Sequence, residues 1–274
     1  MKERQFSQQG AKKSLGQNFF TDKVLAEEIA KMVLSNNPAS LIEIGPGKGA
    51  FSEFFYKKMR SAFAMVEIDD ELVYILRAFY PEATVIHGDI LDLEILRKVK
   101  EFSRKNTEQA DERAQYTTVF GALPYNISKK IIRLVLEEYL AEEYWFIIQK
   151  EVADLLVSPK SGQFKLFTEI YADTQKIKEL SPHFFSPRPK VTSQLIRLTP
   201  NDNIRKIEKL TKLERLIKAS FRFPRKTLAN NLKGTEFERI IADTDYAKRR
   251  PEDLQLSDFI TVSNAAANKA SVRL

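Results

Sequence analysis

The sequence predicts an α/β protein, a doubly wound parallel sheet followed by a small all-helical C-terminal domain, and three features lead there. Apolar runs alternate with helix-period segments through residues 22–149, a glycine loop leaves the first of those runs, and beyond residue 204 only helical periodicity remains. The first helix spans Asp22 to Leu34, where Val24, Leu25, Ile29, Val33 and Leu34 share one face. SLIEIG (40–45) is the first buried strand, and residues 62–68, 83–89, 117–121 and 144–149 repeat its pattern. Between them, 51–60, 70–80 and 128–140 read as amphipathic helices, with Asp69 a suitable N-cap for the second of these. Strand, helix and strand repeated in this way place parallel strands under helices on both faces. Residues 151–156 continue as a helix, SPKSGQ turns, and 164–172 fits either helix or strand. VTSQLIRL (191–198) alternates as a last strand, expected antiparallel at the far side of the sheet. TPNDN then breaks the pattern, so the domains are drawn as 1–199 and 200–274.

Composition removes several chemistries. Among 274 residues there is no Cys and only 2 His, which excludes disulfides, thiolate zinc sites and cysteine nucleophiles and leaves a multi-histidine metal centre without ligands. No metal is expected. No stretch approaches the roughly 20 apolar residues that span a bilayer, so no membrane partner is expected and a cytoplasmic location is. The formal charge is +7 but unevenly spread: residues 181–274 hold 19 basic and 10 acidic side chains, the rest of the chain 25 and 27. A basic last third suits a polyanion, because each cation that neutralises a phosphate releases counterions; a merely solvated basic surface is the plainer alternative.

The chemistry-bearing motifs sit where strands end. Glu43-Ile44-Gly45-Pro46-Gly47-Lys48-Gly49 leaves a strand and enters a helix, so its glycines can bring backbone against a ligand. The G-x-G-x-G spacing differs from the dinucleotide G-x-G-x-x-G and leans toward S-adenosyl-L-methionine over NAD. Glu67 ends the second strand, 18 residues after Gly49, where a carboxylate can accept ribose hydroxyls, and Asp89 ends the third, where one can take an adenine amino group. After the fourth strand comes Ala122-Leu123-Pro124-Tyr125-Asn126. A Pro-Tyr there resembles the loop of amino-directed methyltransferases, in which acceptors draw the target amine's hydrogens out of plane while the aromatic ring stacks on the flipped base. His87 and His183 read as structural, and Phe221 and Phe223 as packing of the helical domain.

Together these segments resemble the KsgA family of ribosomal RNA adenine dimethyltransferases. The likeness runs through KKSLGQNFFTD (12–22), LIEIGPGKGAFS, VEID, GDIL, FGALPYNIS, IIQKEVADLL (147–156), FFSPRPKVTSQLIRL (184–198) and ASFRFPRKTLANNL (219–232). It implies a Rossmann-like class I methyltransferase sheet and S-adenosyl-L-methionine as cofactor. By resemblance Gln17 and Asn18 lie over the cofactor, and Gly45, Gly47 and Gly49 carry its methionine part. Glu67 with Ile68 then takes the ribose, Asp89 with Ile90 the adenine, and position 122 touches the cofactor too. Lys12, Lys13, Arg222, Arg225 and Lys226 are implied RNA contacts. The implied substrate is a pair of adjacent adenosines in the 3′ terminal hairpin of small-subunit rRNA, within an immature 30S-type subunit, and a monomer is expected. One position departs: the family has Asn-Leu-Pro-Tyr, and this chain has Ala122 in place of the Asn, with Leu123, Pro124 and Tyr125 kept. Ala offers no side-chain acceptor. That keeps a non-catalytic ribosome-assembly factor in view beside the enzyme, and an Erm-type large-subunit methyltransferase is the nearest rival of the same chemistry. A NAD-dependent dehydrogenase is more distant, since the Leu-Pro-Tyr loop would serve nothing there.

Overall fold

A computed structural model of the chain describes residues 17–110, 116–223 and 225–271. The chain divides into two compact units, one of residues up to Ala153 with Gln175–Thr199, the other of Asp154–Thr174 with Pro200 onward.

The first unit is built on β2 (Ser40–Ile44), β3 (Phe63–Glu67), β4 (Thr84–His87), β5 (Thr117–Ala122) and β6 (Glu143–Gln149). They run parallel, with Leu41 opposite Phe63, Ala64 opposite Thr84, Leu41 opposite Thr118 and Val119 opposite Tyr144. Every residue of β2 and β3 is buried, which is why both strands are apolar on both faces except for Ser40, Glu43 and Glu67. The helix α1 (Lys23–Val33) leads into β2, and α2 (Ser52–Met59), α3 (Asp70–Phe79), α4 (Leu93–Glu108) and α5 (Ser128–Glu137) connect the strands. Three start on an aspartate that accepts a first-turn amide: Asp22 from Leu25 at 2.9 Å, Asp69 from Glu71 at 3.1 Å, Asp92 from Glu94 at 2.7 Å. Helix α4, whose buried face is Ile95, Leu96 and Val99, was not among the expected elements, because polar residues dominate its 16 positions.

The far side of the sheet differs from expectation. The strand order is β4-β3-β2-β5-β6-β9-β7, with β7 (Ala172–Leu180) at the edge and β9 (Ser193–Pro200) inside it. β9 is antiparallel to β6, Gln149 facing Ser193, as expected, but it does not end the sheet. β7 went unread because ADTQKIKEL is polar along most of its length, which an edge strand tolerates. A short ribbon of β1 (Phe19–Phe20) and β8 (Phe185–Ser186) pairs Phe20 with Phe185. An aromatic row anchors it: Phe20 lies 4.8 Å from Phe51, and Phe51 lies 4.7 Å from Phe120, between ring centroids.

In the second unit, α7 (Gln163–Tyr171) resolves the ambiguity over 164–172 as helix, following α6 (Lys150–Leu156). Residues 154–174, which include the first three of β7, group with the C-terminal helices. Asn201 N–H reaches the Tyr171 carbonyl at 2.9 Å, Ser161 N–H the Glu252 carbonyl at 2.8 Å, and Lys160 pairs with Glu252 at 2.6 Å. The helices α8 (Leu210–Ser220), α9 (Leu228–Leu232), α10 (Glu238–Ile241) and α11 (Leu256–Ser271) complete the unit. Among the described residues, no helix is long and apolar enough to cross a membrane.

Candidate active site

A cavity of about 270 Å³ opens at the carboxyl ends of β2, β3, β4 and β5. Ligands of open α/β sheets bind at such ends because strand-to-helix turns there present loop backbone and helix N-termini. Gln17, Asn18, Gly45, Gly47, Glu67, Ile68, Asp89, Ile90 and the whole stretch Ala122-Leu123-Pro124-Tyr125 line it. Residues from five separate motifs thus line one cavity.

The glycine loop shows why three glycines are needed and that they serve different ends. All three have positive φ, +67° at Gly45, +55° at Gly47 and +75° at Gly49, a region that L side chains rarely adopt. A Cβ added at Gly45 would meet nothing within 4 Å, so bare backbone faces the cavity. At Gly47 it would stand 3.0 Å from the Phe19 ring, and at Gly49 2.9 Å from the Tyr80 hydroxyl. Gly49 is not among the lining residues; its missing side chain makes room for Tyr80.

Glu67 is almost wholly buried, yet it is satisfied by backbone alone. Its Oε2 accepts from Gly47 N–H at 3.1 Å, and its Oε1 from Ile68 N–H at 2.9 Å and Asp69 N–H at 3.0 Å. A carboxylate offers about four acceptor positions, so about one remains on Oε2 for a ligand hydroxyl. Burial raises its pKa, against the lowering by those three amides. Asp89 is exposed, and its Oδ1 accepts from Leu91 N–H at 2.9 Å. Ile68 is 45% exposed at the rim, a large apolar side chain that a flat ring could cover. Behind the loop, Glu43 is buried and takes a 2.6 Å hydrogen bond from Ser52 Oγ. Burial, with the neighbouring Glu67 charge adding to it, pushes Glu43 up to about 8, so its carboxyl is protonated at neutral pH.

The fourth loop is pinned at several points. Leu123 N–H donates to the Ile147 carbonyl at 3.0 Å, and the Pro124 carbonyl accepts from Ile127 N–H at 3.2 Å. Tyr125 is half-buried, and its hydroxyl shares a 2.6 Å hydrogen bond with Ser193 Oγ. Sequence reading missed Ser193, 68 residues away, and also Phe19, Phe185 and Ile147, which line the cavity from β1, β8 and β6. An open glycine backbone, one remaining carboxylate position, an exposed apolar rim and a second acid fit an adenosine carrying a sulfonium and an amino-acid tail. That is the cofactor expected from the sequence.

The other candidates are not among the residues that line this cavity. Lys12 and Lys13 fall outside the described residues. Arg222, Arg225 and Lys226 belong to the second unit, on a loop folded around buried Asn231. Asn231 Oδ1 accepts from Phe223 N–H at 2.7 Å, while its Nδ2 donates to the carbonyls of Phe223, Lys226 and Thr227. Phe221 packs against Phe259 as expected, but Phe223 is 48% exposed with Lys226 Nζ 4.8 Å from its ring centre. His87 pairs with Asp70 at 2.9 Å and His183 bonds Ser181 Oγ at 2.7 Å, both away from the cavity wall. Among the described residues no acid or histidine cluster could hold a metal ion.

Comparison with known proteins places these features. A curated relative from Pelagibacter ubique, named ribosomal RNA small subunit methyltransferase A, is 34% identical over 80% of this chain and 81% of its own. One of the same name from a Marinomonas species is 31% identical over 94% and 96%. Two solved structures share the fold. A dimethyladenosine transferase from Plasmodium falciparum is 16% identical at a TM-score of 0.71, covering 92% of this chain and 98% of that one. The 23S rRNA methyltransferase ErmE is 20% identical at 0.61, covering 91% and 100%. The family model described as ribosomal RNA adenine dimethylase matches residues 8–266, and the chain belongs to that family, whose enzymes take their methyl group from S-adenosyl-L-methionine.

Proposed function

We propose that this chain dimethylates N6 of two adjacent adenosines in the 3′ terminal hairpin of small-subunit rRNA. It does so within an immature 30S-type subunit, as a cytoplasmic monomer coupled to subunit assembly. The carrying observation is the single cavity in which the glycine loop, Glu67 and Asp89 meet Leu123, Pro124 and Tyr125. The small-subunit target rests on the names of the curated relatives. When bound, S-adenosyl-L-methionine supplies an electrophilic methyl on its sulfonium sulfur.

This chain's residues bind and orient. Gln17 and Asn18 cover the cofactor, with Gly45 and Gly47 beneath its tail. Glu67 Oε2 accepts one ribose hydroxyl hydrogen, Ile68 and Ile90 cover the purine, and the second Asp89 oxygen takes the adenine amino group. Tyr125 stacks on the flipped target base. The carbonyls of Leu123 and Pro124 are the remaining acceptors for the target amine, the second already taking one hydrogen bond from Ile127 N–H. No side chain need take the proton, which leaves to water after methylation. Residues 1–199, without the 154–174 stretch that groups with the helices, form the catalytic part, and the basic helical part with Arg222, Arg225 and Lys226 grips RNA phosphates, alongside Lys12 and Lys13.

Ala122 removes one acceptor from this arrangement. If that hydrogen bond matters as much as one oxyanion-hole donor, its loss costs roughly 2.7–4 kcal/mol, a hundredfold to a thousandfold in rate. The test is transfer of labelled methyl from S-adenosyl-L-methionine to unmethylated small subunits, with Ala122→Asn beside the parent chain. Slow dimethylation by the parent and a rate at least a hundredfold higher for the variant are expected. Equal, rapid dimethylation by both would show that the backbone acceptor suffices. Ala122 also favours a second reading, a binding-only assembly factor; subunit binding with no transfer by either protein would establish it in place of the first.

A further inference from the structure

We propose that Ser193 is a positioning residue for this reaction, its hydroxyl holding the Tyr125 ring in the orientation that receives the target base. The inference rests on the reading of the site as an adenine methyltransferase pocket. Stacking requires only a ring, and phenylalanine would supply one without placing a hydroxyl in a half-buried position. The tyrosine hydroxyl therefore calls for a partner. It has one: Ser193 Oγ, 2.6 Å away, at the short end of hydroxyl–hydroxyl distances.

The fixed end of this tether is rigid. Ser193 is fully buried, begins β9, and stands in register with Gln149 of β6. The residue before it is also tied down, since the Thr192 carbonyl accepts from Lys150 N–H at 2.9 Å. A serine side chain has one rotatable heavy-atom torsion, so little freedom remains between the sheet and the ring. The Tyr125 backbone carbonyl accepts from Ser128 Oγ at 3.3 Å, which holds the loop but not the ring torsions. The contact at the ring's far tip fixes where the ring points: the hydroxyl oxygen lies on the ring's own axis, so tethering it holds χ1 and keeps the ring from swinging away.

The same stretch of chain braces another part of the cavity lining. The Phe184 carbonyl accepts from Thr21 N–H at 2.8 Å, and Phe185 pairs with Phe20, next to the cavity-lining Gln17, Asn18 and Phe19. Residues 184–193 therefore fix both the covering segment and the stacking ring. Transfer in line from sulfur to nitrogen depends on where the base sits, so a ring free to swing lowers the fraction of bound base that is poised to react.

The test uses the full chain with Ser193→Ala, Ser193→Thr, Tyr125→Phe and the Ser193→Ala/Tyr125→Phe pair. Methyl transfer to unmethylated small subunits gives kcat and KM, and calorimetry gives S-adenosylhomocysteine affinity. A neutral hydrogen bond of this kind is worth about a two- to tenfold change. Ser193→Ala should lower kcat by that factor with KM and cofactor affinity unchanged, and Ser193→Thr should restore it. Tyr125→Phe should match the loss, and the double variant should add nothing. Unchanged kcat in Ser193→Ala, or additive losses, would overturn the positioning role. The tether itself is read without activity, by fluorine NMR of 3-fluorotyrosine-labelled protein, the Tyr125 resonance being the one missing in Tyr125→Phe. It should shift and broaden in Ser193→Ala; an unmoved resonance overturns the tether. Absence of any transfer by the parent chain and by its Ala122→Asn variant overturns the methyltransferase reading instead, and the resonance then still decides the tether.

Discussion

At the amino ends of the parallel strands, Glu143 starts β6 with its carboxylate 2.5 Å from Arg197 Nη2 and 3.3 Å from Asn36 Nδ2. Beside it, Ser40 Oγ and Thr117 Oγ1 share a 2.8 Å bond, and Glu142 accepts from Thr117 N–H at 2.8 Å. At the carboxyl ends, Glu43 and Glu67 are as deeply buried as Glu143. Yet among the described residues neither has a cation at ion-pair distance; one hydroxyl holds Glu43 and three backbone amides hold Glu67. The contrast shows how one residue type divides its work. Where a carboxylate is closed off by a guanidinium, it locks strand to strand; where amides hold it and leave an acceptor position open, it can still receive a hydroxyl from a ligand.

Removing the lock should have the largest effect on folding. Glu143→Ala leaves the Arg197 guanidinium, about a third exposed, without its carboxylate, at an expected cost of about 2–4 kcal/mol. Urea unfolding checks this, and the folded fraction should keep its affinity for S-adenosylhomocysteine. A large loss of affinity in folded Glu143→Ala would collapse the distinction between the two ends.

Glu43 sharpens the contrast through pH. Its folded pKa, about 8, stands above the ordinary glutamate value of 4.5, so between these the folded protein keeps a proton that the unfolded chain releases. Stability contributed by Glu43 is therefore present below pH 4.5 and lost as pH rises toward 8, at a slope on the order of 1 kcal/mol per pH unit. Glu43→Gln should remove that slope. Parallel curves for the two proteins from pH 5 to 8 would show that Glu43 is ionised in the fold.

Glu67→Gln tests the open acceptor. An amide cannot receive all three N–H donors, and one amide hydrogen would confront Gly47 N–H, so S-adenosylhomocysteine affinity should fall about ten- to a hundredfold by calorimetry. The smallest expected effect separates two glycines of one loop. Gly49→Ala meets both an unfavourable φ of +75° and the Tyr80 hydroxyl, and should lower stability by about 1–2 kcal/mol. Gly45→Ala meets only the φ of +67°, but its methyl enters the cavity, so cofactor affinity should fall more than stability does. Equal affinity losses in both variants would remove the distinction.

Much of this site is legible along the chain because strand-ending motifs are local. Gly45, Glu67, Asp89 and Tyr125 each follow an apolar run, and parallel pairing of those runs brings their ends together. Polar α4 and β7 escaped that reading, since neither shows the apolar pattern on which it depends. Spacing marks three glycines alike, whereas packing assigns Gly49 to Tyr80 and Gly45 to the cavity. Nor does any local pattern say that Ser193 meets Tyr125, that residues 154–174 group with the helical unit, or that Glu43 keeps its proton. Periodicity and turn chemistry act over a few residues and can be read in order. Register across β6 and β9, and desolvation in a closed core, depend on groups far apart in sequence and exist only once the chain has folded.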